Sequence, residues 1–357
     1  MLQARRVHII EALRPKRFDP VPHRNTISDV AAAARVSIST VSLVMNGKGP
    51  VADGTRQRVQ AAAERLGYAP SRSARGLAAR RTGNLGFVLR EDHFRQSEPF
   101  YTRVFLGAEF EARRRGLYVL LSTVPDPYDA GSHAPRFLTE HSVDGVIVAG
   151  GVDGGLVEQL QARSIPHVLA DFAWDGAAHV SIDNRGGAEA VAAHLVRRGH
   201  ERTAFLGADP DHPSPLARRD GFVRAMREAG HPVPDELVVI DDGPSDRTTG
   251  ARASSALLDL KLAERPTAVF CANDALALGL LDAARDRGLS VPGDVAVVGF
   301  DDVEGASLAS PPLTTVRVPK EQLGETALAV LAHGIEGGAP IAPSTIIPTE
   351  LVVRASS

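Results

Sequence analysis

The chain has 357 residues, 43% apolar and 23% charged, with aromatics sparse at 5%, a length and balance that exclude a disordered chain and suit a small module joined to a larger body. Its longest apolar runs, Tyr118 to Val124 and Val295 to Phe300, fall far short of the roughly 18 residues a membrane helix needs. The net charge of −3 hides a step: residues 1–82 hold 15 Lys and Arg against 5 Asp and Glu, net +10, while the remainder holds 25 against 38, net −13.

A basic head on an acidic body points to a polyanion partner for the head alone, since the body would repel one; a solvated basic surface is the plainer alternative. At the start of the chain, "VHIIEAL" after Arg5 and Arg6 is too short and too polar for a secretory leader, so a cytoplasmic protein is expected. Residues 1–25, with Pro15, Pro20 and Pro22, read as an N-terminal extension. The first element is a helix over about 27–34, where Ile27, Val30, Ala31 and Ala34 recur at helical spacing and Thr26 or Ser28 is the cap. After a break at Arg35-Val36-Ser37, a second helix capped by Ser37 turns Val41, Val44 and Met45 inward and Ile38, Ser39, Ser42 and Leu43 outward. A third segment, Asp53 to Leu66, opens with an acidic cap and carries Val59, Ala62, Ala63 and Leu66 as its stripe. Three short helices of this kind share one core and fit a helix-turn-helix, whose second helix enters the major groove.

The stretch from Thr26 to Val88 resembles the lactose/galactose repressor (LacI/GalR) family of bacterial transcriptional regulators: "VSISTVS", the "NG" after the second helix, "TRQRVQAAAERLGYAP" and "RSARGLAA" stand in the family's order and spacing. The resemblance implies that Ile38, Ser39, Ser42 and Leu43 meet bases, that Thr40, Asn46 and Thr55 hold phosphates, and that Thr26 lies in the same DNA-binding set. It assigns residues 26–70 to a helix-turn-helix domain and 71–82 to a linker that folds into a hinge helix on the operator, with Leu77 as a minor-groove wedge beside Arg72. Two positions depart from the family: Leu43 stands where an Arg usually pairs with guanine, which favours contact with a thymine methyl, and Arg35 stands at a turn that prefers Gly.

Residues 83–357 alternate strands and helices. Strands read at "LGFVL", "YVLLSTV", "GVIVAG", "HVLAD", "VSID", "TAFLG", "LVVID", "AVFCAN" and "VAVVGFDD"; amphipathic helices read over 103–115, 185–198, 217–229, 248–262 and 275–287. This rhythm implies parallel sheets covered on both faces, too many strands for one sheet, and hence two α/β lobes. The resemblance implies the fold of type I periplasmic sugar-binding proteins, with a ligand in the crevice at the carboxyl ends of the strands. Asp171, Asp183, Asn273, Asp274, Asp301 and Asp302 stand at those ends. By resemblance Arg218, Asp301 and Asn273 hold an effector, with Asp171 as a further acceptor and Phe100, Phe172 and Trp174 as apolar walls; Asp183 and Asp274 read instead as helix caps. A sugar or sugar derivative is the expected effector, with a purine as the runner-up.

The lone Cys271 allows neither an internal disulfide nor a cysteine-rich metal site and reads as a buried thiol. There is no HExxH, GxSxG or Walker loop, so no enzyme, cofactor or metal is expected. A solute-binding protein or a cleft hydrolase that keeps an idle head is the competing reading. The chain closes on "LVVRASS" without a heptad repeat, so a homodimer on a pseudo-palindromic operator is expected rather than a tetramer.

Overall fold

The computed structural model describes residues 25–47, 49–68, 81–93, 100–210, 212–337 and 344–357. The chain divides into two compact units between Arg81 and Thr82. Thr82, expected as the last linker residue, instead donates its backbone N–H (2.6 Å) and hydroxyl (2.9 Å) to Asp144 in the second unit.

The first unit holds α1 (Ile27–Ala34), α2 (Ile38–Met45) and α3 (Asp53–Arg65). Thr26 is the α1 cap: it accepts from the Asp29 N–H, and the Asp29 carboxylate accepts from the Thr26 N–H at 2.7 Å, so two otherwise orphaned donors are satisfied reciprocally. Arg35 ends α1 in the left-handed conformation (φ 54°, ψ 51°), a strain that glycine would not feel. The axes of α1 and α2 bend by 103°, within the range of a helix-turn-helix. Ser37 caps α2, and Val30, Ala31, Ala34, Val41, Val44, Val59, Ala62 and Ala63 form the core the three helices share. The expected acidic cap of α3 needs correction. Ala52 occupies the cap position without a side-chain bond, and Asp53 is the first helical residue, where its charge meets the positive helix end.

The second unit has two sheets. In one lobe the order is β11-β5-β4-β3-β1-β2, all parallel: β1 (Asn84–Arg90), β2 (Tyr118–Val124), β3 (Val146–Ala149), β4 (His167–Ala170), β5 (Ala178–Ile182) and β11 (Ser344–Ile347). In the other it is β12-β10-β9-β8-β6-β7: β6 (Thr203–Ala208), β7 (Val238–Asp241), β8 (Ala268–Cys271), β9 (Ala296–Asp301), β10 (Thr314–Arg317) and β12 (Glu350–Val352), the last antiparallel to β10. Helices α4 (Phe100–Arg114), α5 (Arg136–Thr139), α6 (Gly154–Ala162), α7 (Asn184–Arg197), α8 (Pro213–Glu228), α9 (Arg247–Ala253), α10 (Ser255–Leu258), α11 (Asp274–Asp286), α12 (Glu304–Leu308) and α13 (Lys320–Gly337) complete the lobes.

The chain passes between lobes three times: after β5, between β10 and α13, and between β11 and β12. Helix α13 returns to the first lobe and crosses α4 closely. A β-carbon on Gly107 would lie 2.0 Å from the Glu321 carbonyl oxygen, and one on Gly324 1.8 Å from that of Val104, so only glycine fits at either position. The helix expected over 248–262 is two pieces, because Ser254 separates α9 from α10 and the helix ends at Leu258. Cys271 is fully buried in β8, and burial raises its thiol pKa far above the usual value.

Candidate functional site

On the head, α2 presents Ile38, Ser39 and Leu43 to solvent and Ser42 half-buried beside them. The Thr40 hydroxyl lies 2.8 Å from Ser37 Oγ, and Asn46 Nδ2 donates to the Ser42 carbonyl at 2.9 Å. Thr55 is half-buried, its hydroxyl accepting from Arg58 at 3.3 Å, and the Thr26 hydroxyl is engaged in its cap. Arg72 and Leu77 lie outside the described residues.

In the body, a cavity of about 380 Å³ opens where the carboxyl ends of both sheets face each other. From the first lobe come Arg90, His93, Phe100, Tyr101 and Asp171; from the second, chiefly Arg218, Asn273, Asp301 and the loop after β7. Arg218 is 4% exposed and fixed on every side: Nε donates to Asn184 Oδ1 at 2.7 Å, Nη1 to the Ala272 carbonyl at 2.6 Å, and the guanidinium lies 3.8 Å above the Phe300 ring. Its Nη2 reaches Asp301 Oδ1 at 3.4 Å, too long and poorly aligned for a hydrogen bond, so that buried oxygen has no hydrogen-bond donor. Asp301 takes φ 114°, outside the allowed regions for an L residue, so the end of β9 turns its carboxylate out of the strand register.

Asp171, at the end of β4 with φ 69°, accepts from the Tyr101 hydroxyl at 2.9 Å and lies 3.4 Å from Ser214 Oγ of the opposite lobe. Burial raises its pKa to about 6, against the pull of Arg218 and the Tyr101 hydrogen bond. Burial also raises Asp301 against Arg218 and Lys320, and raises Tyr101 well above its usual value, helped by Asp171. His93 stacks on Tyr101 with ring centroids 4.7 Å apart, and His212 Nε2 lies 3.5 Å from the Tyr101 hydroxyl. His212 Nδ1 accepts the Ser214 N–H as the cap of α8, so the neutral ring carries its proton on Nε2. The cavity thus combines an aromatic wall, buried carboxylate acceptors and one immobilised guanidinium, which suits a small donor-rich ligand.

The structure gathers Phe100, Asp171, Arg218, Asn273 and Asp301 around this cavity and removes others from it. Phe172 is not a wall: it is 6% exposed and packs with Val124, Tyr128, Phe137 and Leu156 in a core separate from the cavity that Asp171 lines. Trp174 lies over Gly154 in a surface depression of its own. Asn273, which lines the cavity, rather than Asp274 caps α11, its Oδ1 accepting from the Leu276 N–H at 2.8 Å and its Nδ2 donating to the Ser245 carbonyl. Asp274 is fully buried, accepts from Thr315 Oγ1 and the Val303 N–H, and has its pKa raised to about 8 by burial and the charge of Asp301. Asp183 does cap α7, through the Gly186 N–H at 2.8 Å. Tyr101, His93, Ser214 and His212 escaped the sequence reading as site residues. Tyr101, Ser214 and His212 stand at or just before helix starts and His93 ends the short turn after β1, and nothing local says which of these positions face a cleft.

Residues 26–71 match the family model for bacterial regulatory proteins of the lacI family, and residues 192–357 that of a periplasmic binding protein-like domain. The HTH-type transcriptional repressor PurR of Vibrio atlanticus is 34% identical over 318 residues, 87% of this chain and 92% of that protein. The chain belongs to the lacI family of bacterial regulatory proteins. Among solved structures, the lac repressor dimer bound to operator and the anti-inducer ONPF superposes with a TM-score of 0.79 at 26% identity, covering 94% of this chain and 99% of that one. The transcriptional regulator CelR in complex with cellobiose gives 0.70 at 32% identity, covering 94% and 100%. This lacI-family chain is therefore a DNA-binding transcriptional regulator of the repressor class, with a helix-turn-helix head and an effector-binding body of two α/β lobes. Among its described residues no single helix is long and apolar enough to cross a membrane.

Proposed function

We propose that the protein represses transcription in the cytoplasm as a homodimer on a pseudo-palindromic operator, and that a small polyhydroxylated effector, a sugar or sugar derivative, binds between its lobes. The observation that carries the effector reading is Asp301: the residue lines a cavity of about 380 Å³ beside an immobilised Arg218, and its buried Oδ1 lacks a hydrogen-bond donor. A ligand hydroxyl supplies that donor, and Asp171 accepts a second. The likeness to the cellobiose complex supports the ligand class, and the likeness to the operator-bound dimer supports the assembly.

In this reading residues 26–70 bind DNA, 71–81 form the hinge with Arg72 and Leu77 on the minor groove, and 82–357 bind effector and partner subunit. Ile38, Ser39, Ser42 and Leu43 meet bases; Thr26, Thr40, Asn46 and Thr55 meet the backbone. Because Tyr101 and Asp171 belong to one lobe and Arg218 and Asp301 to the other, a ligand touching all four favours one lobe arrangement. Only that difference in affinity shifts the DNA-binding population.

The test is selection of bound sequences from a random duplex library, followed by titration of the best complex with neutral mono- and disaccharides and with purines. A symmetric site whose affinity a sugar shifts, with no response in Arg218→Ala, is the expected result. A response to purines alone overturns the sugar assignment, and an asymmetric site overturns the dimer.

A further inference from the structure

The outward face of α2 carries no side chain free to make a two-pronged hydrogen bond to a base. At 3.6 residues per turn, Ile38, Ser42, Asn46, Ser39 and Leu43 follow one another around an arc of about 140°. None is Arg, Lys, Gln, Asp or Glu, the types that pair with guanine, adenine or cytosine edges. The single amide, Asn46, sits past the end of α2, and its Nδ2 already donates to the Ser42 carbonyl at 2.9 Å and lies 3.3 Å from Ser42 Oγ. Serine hydroxyls both donate and accept, so Ser39 and Ser42 discriminate little between bases.

What remains is apolar. Ile38 is 51% exposed and Leu43 40%, whereas Val41 and Val44 on the same helix are buried. They stand at opposite edges of the arc with the serines between them. Leu43 also has a defined seat: its Cδ2 lies 3.3 Å from where a β-carbon on Gly49 would be, and Gly49 adopts φ +75°. Glycine there admits both the turn and the leucine. On the major-groove edge of DNA the apolar group that differs between base pairs is the 5-methyl of thymine.

We propose that α2 reads its operator chiefly through thymine methyl groups, with Ile38 and Leu43 as the specificity-determining residues. The proposal rests on α2 being the recognition helix of the proposed repressor. Covering an exposed aliphatic side chain and a methyl group together removes both from water, which supplies sequence preference without a directed hydrogen bond.

The experiment uses the full chain and its best selected operator, with each thymine replaced singly by deoxyuridine, which deletes the methyl and keeps every hydrogen-bonding group. Affinity should fall about fourfold at each contacted thymine and about fifteenfold when a symmetric pair is replaced, from the free energy of burying one methyl-sized group. In Leu43→Ala the penalty should vanish at one thymine, and in Ile38→Ala at a different one. Both positions are exposed, so neither change empties the core. Leu43→Arg should shift selection at its base towards guanine. An enriched operator indifferent to deoxyuridine, or one whose penalties survive both alanine changes, overturns the proposal and leaves the repressor reading standing. No enriched operator at all overturns both.

Discussion

Replacing Arg218 with Ala should destabilise the body in a manner that depends steeply on pH. The guanidinium is 4% exposed and lies 3.4 Å from the Asp301 carboxylate; it also holds down the pKa of Asp171. Removing one partner of a buried pair costs about 3–5 kcal/mol, so the melting temperature at pH 7.5 should fall by roughly 10 °C. Without Arg218 the pKa of Asp301 rises further above its unfolded value. A carboxylate so raised contributes stability that is full below the unfolded pKa and is lost as pH rises through the folded one. Each carboxylate that stays protonated in the folded variant but not in the parent adds a deficit of about 1.4 kcal/mol per pH unit. Between pH 7.5 and 5 the deficit should therefore shrink, leaving the part due to Asn184 Oδ1 and the Ala272 carbonyl, which lose donors at any pH. Adding Asp301→Asn should recover stability at pH 7.5 and little at pH 5. Urea denaturation of the three proteins at both pH values measures all of this. Equal deficits at the two pH values would refute charge compensation as the role of Arg218.

Asp274→Asn should flatten a second pH dependence: with a folded pKa of about 8, Asp274 makes the parent lose up to ~1.4 kcal/mol per pH unit between about pH 4 and 8, which the amide, still able to pair with Thr315 and Val303, should abolish in thermal melts. Phe172→Ala should cost about 3–5 kcal/mol of stability yet leave effector affinity within about twofold by calorimetry, because the ring fills a core away from the cavity. Effector affinity should fall as pH drops through about 6, where Asp171 takes up a proton and loses acceptor capacity; a flat calorimetric profile from pH 7.5 to 5 would take Asp171 out of the contact. Arg35→Gly should stabilise the head by about 1 kcal/mol, read by hydrogen exchange at Val30 and Val59, by relieving the left-handed backbone.

Most of the nine strands legible in the sequence have apolar runs buried in the sheet interiors, such as Val146–Ala149 and Ala268–Cys271, while the edge strands β2 and β7 were legible from their β-branched and aliphatic runs alone. Of the three that were not, "STII" and "ELV" are edge strands and "TTVR" is too short and polar to read alone; partners far along the chain help make them strands, as Ile182 pairs with Ile347 and Thr315 with Val352. Helix α13 was hidden for another reason. Its alanines and glycines weaken the apolar stripe, and they are there because α4 crosses so closely that Gly324 has no room for a side chain. A pattern read from one segment cannot register a constraint imposed by another.

At the site, Asp171 and Asp301 were legible because strand ends announce themselves locally, and Arg218 through the family resemblance. The support beneath Asp301 was not. Asp301 and Asp302 both take positive φ, 114° and 53°, at a cost of order 1–3 kcal/mol each. The buried ammonium of Lys320 compensates, donating to the carbonyls of Asp301 and Asp302 from the first residue of α13, just past the second crossing between lobes. Nothing in "FDD" or "VPKEQ" alone hints at this link. It has a mechanical consequence: the carboxylate that faces the cavity is held in place by the segment that joins the lobes. Asp301 therefore owes its position to a residue outside its own strand, and a reading confined to either segment misses the support.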